Sequence, residues 1–129
     1  MSTYRNNVTL KGFLGRDAAL HVNTNQTPFA VLSLATKSTH RNRQSGELVA
    51  HTEWHRVVAN GRLAESAKSL LKGAHVEVQG RLQSYRYEDN SGVQHRVWEV
   101  RAHAVTHLER PAVDDGSLDT TPAEEDVPG

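Results

Sequence analysis

Residues 61–73 read GRLAESAKSLLKG, and this stretch decides the fold because its apolar residues follow a helical spacing. Leucine or alanine stands at positions 63, 64, 67, 70 and 71, which form one stripe along a helix. Asn60 is the expected N-cap, and Gly73 is the expected residue just after the helix end. We therefore predict one helix here, within a chain whose other patterns are those of strands.

On both sides of this helix the patterns are those of strands: apolar and polar residues alternate with a period of two, except in PFAVLSLAT at 28–36, which is apolar at both parities and predicts a strand covered on both faces. Three such segments precede the helix, at 8–14, 28–36 and 47–59, and two follow it, at 75–82 and 94–108. This order is the one expected of an OB-fold, a five-stranded Greek-key barrel that binds oligonucleotides with one face and its loops. The sequence thus predicts a mainly β protein with one helix between the third and fourth strands.

The zero formal charge of the chain results from two segments of opposite charge. Residues 1–110 hold all 15 Lys and Arg against nine Asp and Glu, a net +6, whereas residues 111–129 hold six acids and no base. All eight histidines also lie in the basic segment. We predict a polyanion-binding domain over residues 1–110 and a disordered acidic tail over residues 111–129 that does not bind the polyanion.

Composition excludes several classes of protein. The chain has no cysteine, so disulfides and thiolate metal sites are impossible, which is consistent with a reducing compartment. It has no apolar run of about 18 residues and no apolar segment in its first ten residues, so membrane insertion and secretion are not expected. We expect a cytoplasmic, nucleoid-associated protein.

Two connections between strands are long and basic. Residues 37–46 carry three basic residues and no acid, and residues 83–95 place Arg86 between Tyr85 and Tyr87 ahead of a hairpin turn. Charge alone is compatible with ordinary solvated hairpins. Cations interleaved with aromatic rings favour nucleic acid, since bases stack on rings and phosphates attract cations.

The strand TEWHRVV, at 52–58, is the most specific local motif. Alternation places Trp54 and Arg56 on one face and Glu53, His55 and Val57 on the other. A ring and a guanidinium two residues apart can hold one base and its neighbouring phosphate. The strand pattern by itself leaves open a core tryptophan beside an arginine that reaches solvent.

Metal and catalytic motifs are not found. His51 and His55 are four residues apart, as are His103 and His107, but four residues of a strand span about 13 Å, too far for one ion. The sequence contains neither a phosphate-binding loop nor a nucleophile elbow. We therefore predict no metal, no cofactor and no catalytic residue.

Taken together, these motifs closely resemble those of the bacterial single-stranded DNA-binding protein family. The resemblance runs from about residue 5 to about residue 108. It is carried by NNVTLKGFLGRDAAL at 6–20, TEWHRVV at 52–58, GRLAE at 61–65, LLKG at 70–73, VEVQGRL at 76–82 and DNSG at 89–92. The resemblance also implies a homotetramer of OB-folds, with dimers of two-domain chains as the less common arrangement.

The resemblance assigns roles to individual residues. Trp54 and Tyr87 are expected to stack on bases, and His55 is expected to pack between subunits. His40, where the family often has tryptophan, is expected to stack more weakly, and Tyr85, where the family commonly has arginine, is expected to compensate as a further stacking residue. Phosphate contacts are expected from Arg43, Arg56, Arg62, Lys72 and Arg86.

Several positions depart from the family pattern. His40 replaces a frequent tryptophan and Asn60 replaces a frequent phenylalanine, and each stacked base is worth about 1–3 kcal/mol. We therefore expect weaker binding of single-stranded DNA than is usual in the family, with a steeper dependence on salt. Trp98 stands where the family usually has a small or β-branched residue, and it either packs internally or contacts another subunit.

The end of the tail resembles the acidic tip with which the family docks replication, recombination and repair proteins. Gly129 stands where that tip has a terminal phenylalanine, so whether this tip docks a partner is left open. The matching residues are Glu124, Glu125, Asp126, Val127 and Pro128.

The resulting functional hypothesis is sequence-independent binding and protection of single-stranded DNA during replication, recombination and repair. The alternative is an OB-fold accessory module of the primosome or of recombination, acting mainly through protein contacts. The missing aromatic rings at His40 and Asn60 motivate this alternative.

Overall fold

The computed structural model describes residues 3–109, which form six strands and one α-helix. The elements are β1 (Val8–Leu14), β2 (Ala19–Val22), β3 (Pro28–Arg41), β4 (Leu48–Asn60), α1 (Gly61–Ala67), β5 (His75–Glu88) and β6 (Gln94–His107).

Five of these strands close into a barrel. Their order is β1, β5, β6, β4, β3, and β3 pairs back onto β1 through Ala35 opposite Phe13 and Leu34 opposite Leu14. The β4–β6 pairing is parallel, and the other pairings are antiparallel. This is the strand order of an OB-fold, and α1 lies between the third and fourth barrel strands, so the predicted fold class is confirmed.

The barrel interior contains side chains from every barrel strand. The helix α1 covers one end of the barrel through Ala64 and Ala67, and Leu70 follows it into the core. Each fully buried aliphatic side chain contributes about 1.5–3 kcal/mol to stability. The largest completely buried side chains are those of Leu14, Leu32, Leu34, Val57, Val76 and Val78.

The strand β2 was not predicted from the sequence. It pairs only with β3, from Ala19 opposite Val31 to Val22 opposite Pro28, and lies outside the closed circuit of five strands. All four of its residues are exposed, so it lacks the alternation of buried and exposed residues by which a strand is recognised.

The helix is shorter than predicted. It contains seven residues, and turns follow it in which the amide of Leu70 donates to Ala67 and that of Ala74 donates to Leu71. Asn60 occupies the N-cap position and is also the last residue of β4, but its side chain makes no capping hydrogen bond. The prediction that the helix continues to Gly73 was therefore wrong.

The connection between β3 and β4 is mostly strand rather than loop. Residues 36–41 pair with residues 48–53 beyond the barrel, forming a two-stranded extension that we call the β3–β4 ribbon. The Oδ1 atom of Asn42 accepts hydrogen bonds from the amides of Gln44 and Ser45, which closes the turn at its tip. The basic residues of this predicted connection therefore stand on a paired strand and its turn.

The connection between β5 and β6 is also an extended hairpin. Residues 83–88 pair with residues 94–99, forming the β5–β6 ribbon. The Oδ1 atom of Asp89 accepts hydrogen bonds from the amides of Ser91 and Val93 at the turn. Pairing fixes the face on which each side chain of the ribbon lies.

A β-bulge lies at the base of the β5–β6 ribbon. Gln79 pairs with Ala104 but Gly80 pairs with Ala102, so His103 has no partner in the register. Beyond the bulge, even-numbered residues of β5 lie opposite even-numbered residues of β6, on the face that continues the barrel interior at Val100.

The acidic tail predicted for residues 111–129, with its docking residues 124–128, lies outside the described residues. Within residues 3–109, the helix is not long and apolar enough to cross a membrane.

Candidate nucleic-acid interface

An open groove runs along the outer face of the barrel where β2, β3 and β4 lie side by side. Its volume is about 580 Å³. Its lining includes four residues that carry rings and two arginines: His21, Phe29, Trp54, His55, Arg16 and Arg56. The sequence predicted Trp54 and Arg56 on one face, and the structure brings both into this groove.

The backbone of Gly15, just after β1, positions the indole of Trp54. A Cβ atom on Gly15 would lie 2.6 Å from Cη2 of Trp54 and would also collide with Cζ3. The ring therefore packs against bare backbone and is only partly buried. Trp54 does not belong to the barrel core, so the alternative of a core tryptophan is wrong.

The opposite wall of the groove is built by the strand that the sequence did not predict. His21 on β2 lies directly opposite Phe29 on β3, and the two rings stack with centroids 5.2 Å apart and an interplanar angle of 25°. The sequence signal for this pair is weak, because neither residue belongs to the conspicuous motifs. The pairing of β2 with β3 brings an imidazole and a phenyl ring to a groove that also contains Trp54.

An ion pair positions Arg56 beside the groove. Its Nε atom donates to Oε1 of Glu99 on β6 at 3.1 Å. Glu99 is only 6% exposed, whereas the side chain of Arg56 is 41% exposed. The carboxylate thus offsets part of the arginine charge, and the exposed side of the guanidinium is accessible to a ligand in the groove.

Alternation places the side chain of His55 on the other face of β4 from that of Trp54, although His55 also borders the groove. Its Nε2 atom is 2.9 Å from Oγ1 of Thr36. Partial burial lowers the pKa of His55, and the nearby carboxylate of Glu53 opposes this shift. The histidine therefore favours its neutral form, while its role between subunits stays a prediction.

The β5–β6 ribbon presents one face with three rings, which we call the tyrosine face (Tyr85, Tyr87 and His95). Tyr85 and Tyr87 are 40% and 48% exposed. Tyr87 stacks on His95 with centroids 5.1 Å apart, and Nε2 of His95 lies 2.8 Å from Oδ2 of Asp89. This contact with His95, together with the amide of Val93, lowers the pKa of Asp89.

The structure separates Arg86 from its two neighbouring tyrosines. Because residues alternate along β5, Arg86 points to the opposite face of the ribbon from Tyr85 and Tyr87. A cation and a ring that are adjacent in sequence are therefore on different surfaces here.

The β3–β4 ribbon separates two other predicted residues in the same way. Ala35 lies opposite Trp54 and His40 lies opposite Val49, so alternation puts His40 on the face that does not carry Trp54. His40 is exposed, and Arg43 is exposed in the turn at the tip. A single-stranded nucleic acid that contacts both Trp54 and His40 therefore has to pass around the edge of the β3–β4 ribbon.

The remaining predicted cations lie at the helical end of the barrel. Arg62 is exposed in the first turn of α1 and Lys72 is exposed after it. The amide of Lys72 donates to Oδ1 of Asp17 at 2.9 Å, which fixes this segment beside the residues that follow β1. The phosphate-binding roles of Arg43, Arg62 and Lys72 stay predictions.

Neither of the two histidine pairs in the sequence, His51 with His55 and His103 with His107, was predicted to bind a metal ion. His51 contacts Glu53 at 3.0 Å, whereas His55 contacts Thr36. Within the described part of the chain, three or more potential ligands do not gather at any point.

A closed OB barrel with a groove of rings and cations is typical of the class of proteins that bind single-stranded nucleic acid. The model of the Single-strand binding protein family matches residues 5–108. The chain therefore belongs to this family.

Two solved structures illustrate the similarity. A Plasmodium falciparum SSB in complex with ssDNA is 25% identical, with a TM-score of 0.74, and the match covers 84% of this chain and 99% of that chain. A deletion mutant of the single-stranded DNA binding protein from Thermus aquaticus is 28% identical, with a TM-score of 0.71. That match covers 81% of this chain but only 51% of the Thermus aquaticus chain.

Proposed function

We propose that this protein binds single-stranded DNA without reading its base sequence. The single observation that carries the proposal is the groove in which Trp54 lies beside Arg16 and Arg56. Every base has a face that stacks on an indole, and every nucleotide has a phosphate that a guanidinium can contact. A groove of this composition accommodates any base sequence.

Exclusion of duplex DNA follows from the same geometry. The indole of Trp54 rests on the backbone of Gly15, so its exposed surface can take up a base only if that base is unstacked from its neighbours. In a duplex both faces of each base are already covered. Unpaired DNA is therefore the ligand that gains from this groove, whereas a duplex offers only its phosphates.

The biological role that we propose is a non-catalytic coat that protects single-stranded DNA during replication, recombination and repair. Membership of the Single-strand binding protein family supports this role. We further propose a homotetramer in which His55 packs between subunits, a cytoplasmic, nucleoid-associated location, and docking of partner proteins by residues 124–128.

The affinity is proposed to lie below that of relatives with more aromatic rings. His40 carries an imidazole, and Asn60 at the end of β4, opposite Phe29, carries an amide that stacks poorly. Stacking energy of about 1–3 kcal/mol per base is reduced at these positions. The phosphate contacts then supply a larger share of the binding free energy, and salt weakens them steeply.

A competition experiment tests the proposal. A fluorescently labelled dT oligonucleotide is bound to the full chain at low and high salt, and unlabelled single-stranded DNA, duplex DNA and RNA of the same length compete for it. We expect single-stranded DNA to compete far better than duplex at both salt concentrations. Equal competition by duplex would contradict the proposal, and failure to bind the labelled strand at low salt would favour the protein-contact module instead.

A further inference from the structure

The face of the β5–β6 ribbon opposite the tyrosine face also carries cations and a ring. Arg86 on β5 lies directly opposite Arg96 on β6, and Ser84 lies directly opposite Trp98. All four residues have even numbers and therefore share one face beyond the bulge. We call Arg86, Arg96 and Trp98 the tryptophan face.

Two like charges directly opposite each other destabilise an antiparallel pair. Arg86 and Arg96 form such a pair, and both side chains are exposed. The acid on this face, Glu88, lies 3.4 Å from the amide nitrogen of Gln94 across the strand. The two arginines therefore give the tryptophan face an excess of positive charge that an anion would relieve.

Arg96 and Trp98 are already arranged for contact with a nucleotide. The guanidinium carbon of Arg96 lies 5.8 Å from the ring centroid of Trp98, and Nη1 of Arg96 donates to Oγ of Ser84 at 3.1 Å. The indole of Trp98 is nevertheless 56% exposed. A cation held in place beside an exposed ring repeats the combination that Arg56 and Trp54 form in the groove.

We propose that the tryptophan face is a second contact surface for single-stranded DNA, so that the β5–β6 ribbon binds nucleic acid on both of its faces. The inference rests on the proposed function and extends it to residues outside the groove. It also gives Arg86 a ligand, although Arg86 lies on the opposite face of the ribbon from Tyr85 and Tyr87. Arg86 then contacts the phosphates of nucleotides that lie on the tryptophan face.

The positive charge of the tryptophan face favours single-stranded DNA, rather than a second copy of the chain, as its binding partner. A two-fold contact centred on the Arg86–Arg96 pair would bring the arginines of one subunit close to those of the other. Such a contact repels unless acids intervene, and Glu88 is the acid that this face offers. A polyanion with exposed base faces satisfies both the arginines and the indole.

The two tryptophans of the chain allow a test in which each reports on one surface. The Trp54→Phe variant retains only Trp98, and the Trp98→Phe variant retains only Trp54. Saturating dT oligonucleotides of increasing length are added to each full-length variant, with indole-selective excitation. We expect quenching in both variants, with Trp98 requiring a longer oligonucleotide than Trp54.

Each result has a distinct meaning. Quenching of Trp54 without quenching of Trp98 at any length would overturn this inference and leave the proposed function intact, whereas no quenching of either would overturn both. The accessibility of Trp98 to acrylamide is measured before DNA is added. An inaccessible Trp98 in the free protein would show that another subunit covers it, and this too would overturn the inference.

The salt dependence of DNA affinity provides an independent test, with two single variants that each remove one positive charge. Arg96→Gln removes one phosphate contact, and we expect the slope of log affinity against log salt to fall by about 0.7, the contribution of one phosphate of a single strand. The matched control is Lys68→Gln, which removes one exposed charge after α1, where Lys68 contacts Glu65. Equal slopes in the two variants would contradict a DNA contact at Arg96.

Discussion

Gly15 and Trp54 are in direct contact: the indole of Trp54 occupies the space that a side chain on Gly15 would need. The contact joins the end of β1 to the middle of β4, and it holds the ring at the wall of the groove. A residue without a side chain therefore positions the principal stacking residue that we propose.

The first prediction follows from this contact. In Gly15→Ala, the new Cβ atom would lie within 2.6 Å of Cη2 of Trp54, so the ring has to move. We expect the variant to fold and to lose roughly tenfold in affinity for single-stranded DNA, within the stacking range of about 1–3 kcal/mol. Fluorescence titration with a dT oligonucleotide measures the loss.

Gly61→Ala is the control for this prediction. Gly61 has a φ of 60° and open space around its Cβ position, so alanine strains the backbone without touching Trp54. We expect Gly61→Ala to lower the melting temperature but to preserve DNA affinity. Equal affinities of the Gly15→Ala variant and the unmodified chain would contradict the positioning role of Gly15.

The second prediction concerns the ion pair between Arg56 and Glu99. Replacing Arg56 by Gln leaves the buried carboxylate of Glu99 without its charged partner, although Gln83 still lies 3.4 Å from it. Because Arg56 is also 41% exposed, we expect a loss of only about 1–2 kcal/mol in the free energy of unfolding. DNA affinity is also expected to fall. Urea unfolding and DNA titration measure the two effects separately.

The reciprocal variant separates stability from binding. Glu99→Gln removes the negative charge that offsets the guanidinium of Arg56, so we expect DNA affinity to rise while stability falls slightly. A decrease in affinity of the same size as in Arg56→Gln would show that the pair acts only by maintaining the shape of the groove.

The third prediction is a pH dependence of stability. Burial lowers the pKa of His55 below its value in the unfolded chain, which is about 6.5. Below pH 6.5 the unfolded chain therefore binds more protons than the folded chain at this residue, and the stability that His55 contributes is lost as pH falls. We expect chemical unfolding to show this loss between pH 7.5 and 5.5.

The matched variant for this measurement is His55→Gln, which keeps a polar group beside Thr36 but does not titrate. The other seven histidines are the same in both proteins, so the difference between the two stability profiles isolates His55. A difference that is constant across this pH range would contradict the lowered pKa.

The fourth prediction concerns the acidic segment. Deleting residues 111–129 removes six carboxylates that compete with DNA for the basic domain, so we expect a higher affinity for single-stranded DNA at low salt. At about 1 M salt, where charges more than about 3 Å apart are screened, we expect the shortened chain and the full chain to bind single-stranded DNA with equal affinity. Affinity measurements at both salt concentrations test this.

A full-length variant provides the control for the deletion. Its six acids are replaced by Asn and Gln, so that length is kept while charge is removed. We expect it to bind as tightly as the shortened chain. Unchanged affinity in both variants would show that the acidic segment 111–129 does not interact with the basic domain 1–110.

The barrel was predictable because period-two alternation and one helical stripe are local patterns. The faces of Trp54 and His55 were predictable for the same reason. Other features depend on long-range pairing. The partner of Arg56 is Glu99, which is 43 residues away in the sequence and is brought close by the parallel pairing of β4 and β6.

The ribbons show why sequence neighbours misled the prediction of the site. Tyr85, Arg86 and Tyr87 appear as one cluster in the sequence, but a paired strand sends them to two faces. The sequence pattern placed them on the arm of a hairpin, but the prediction treated the three side chains as one cluster, without applying the alternation of a paired strand. His21 was missed because β2 has no buried residue to mark it.

The central claim is that stacking on Trp54 binds single-stranded DNA, and the affinity of Trp54→Ala and Trp54→Phe for a dT oligonucleotide tests it most directly. We predict that Trp54→Ala loses about 1–3 kcal/mol, that Trp54→Phe retains most of the affinity, and that the salt slope changes in neither. An alanine variant that binds as tightly as the unmodified chain would contradict the claim.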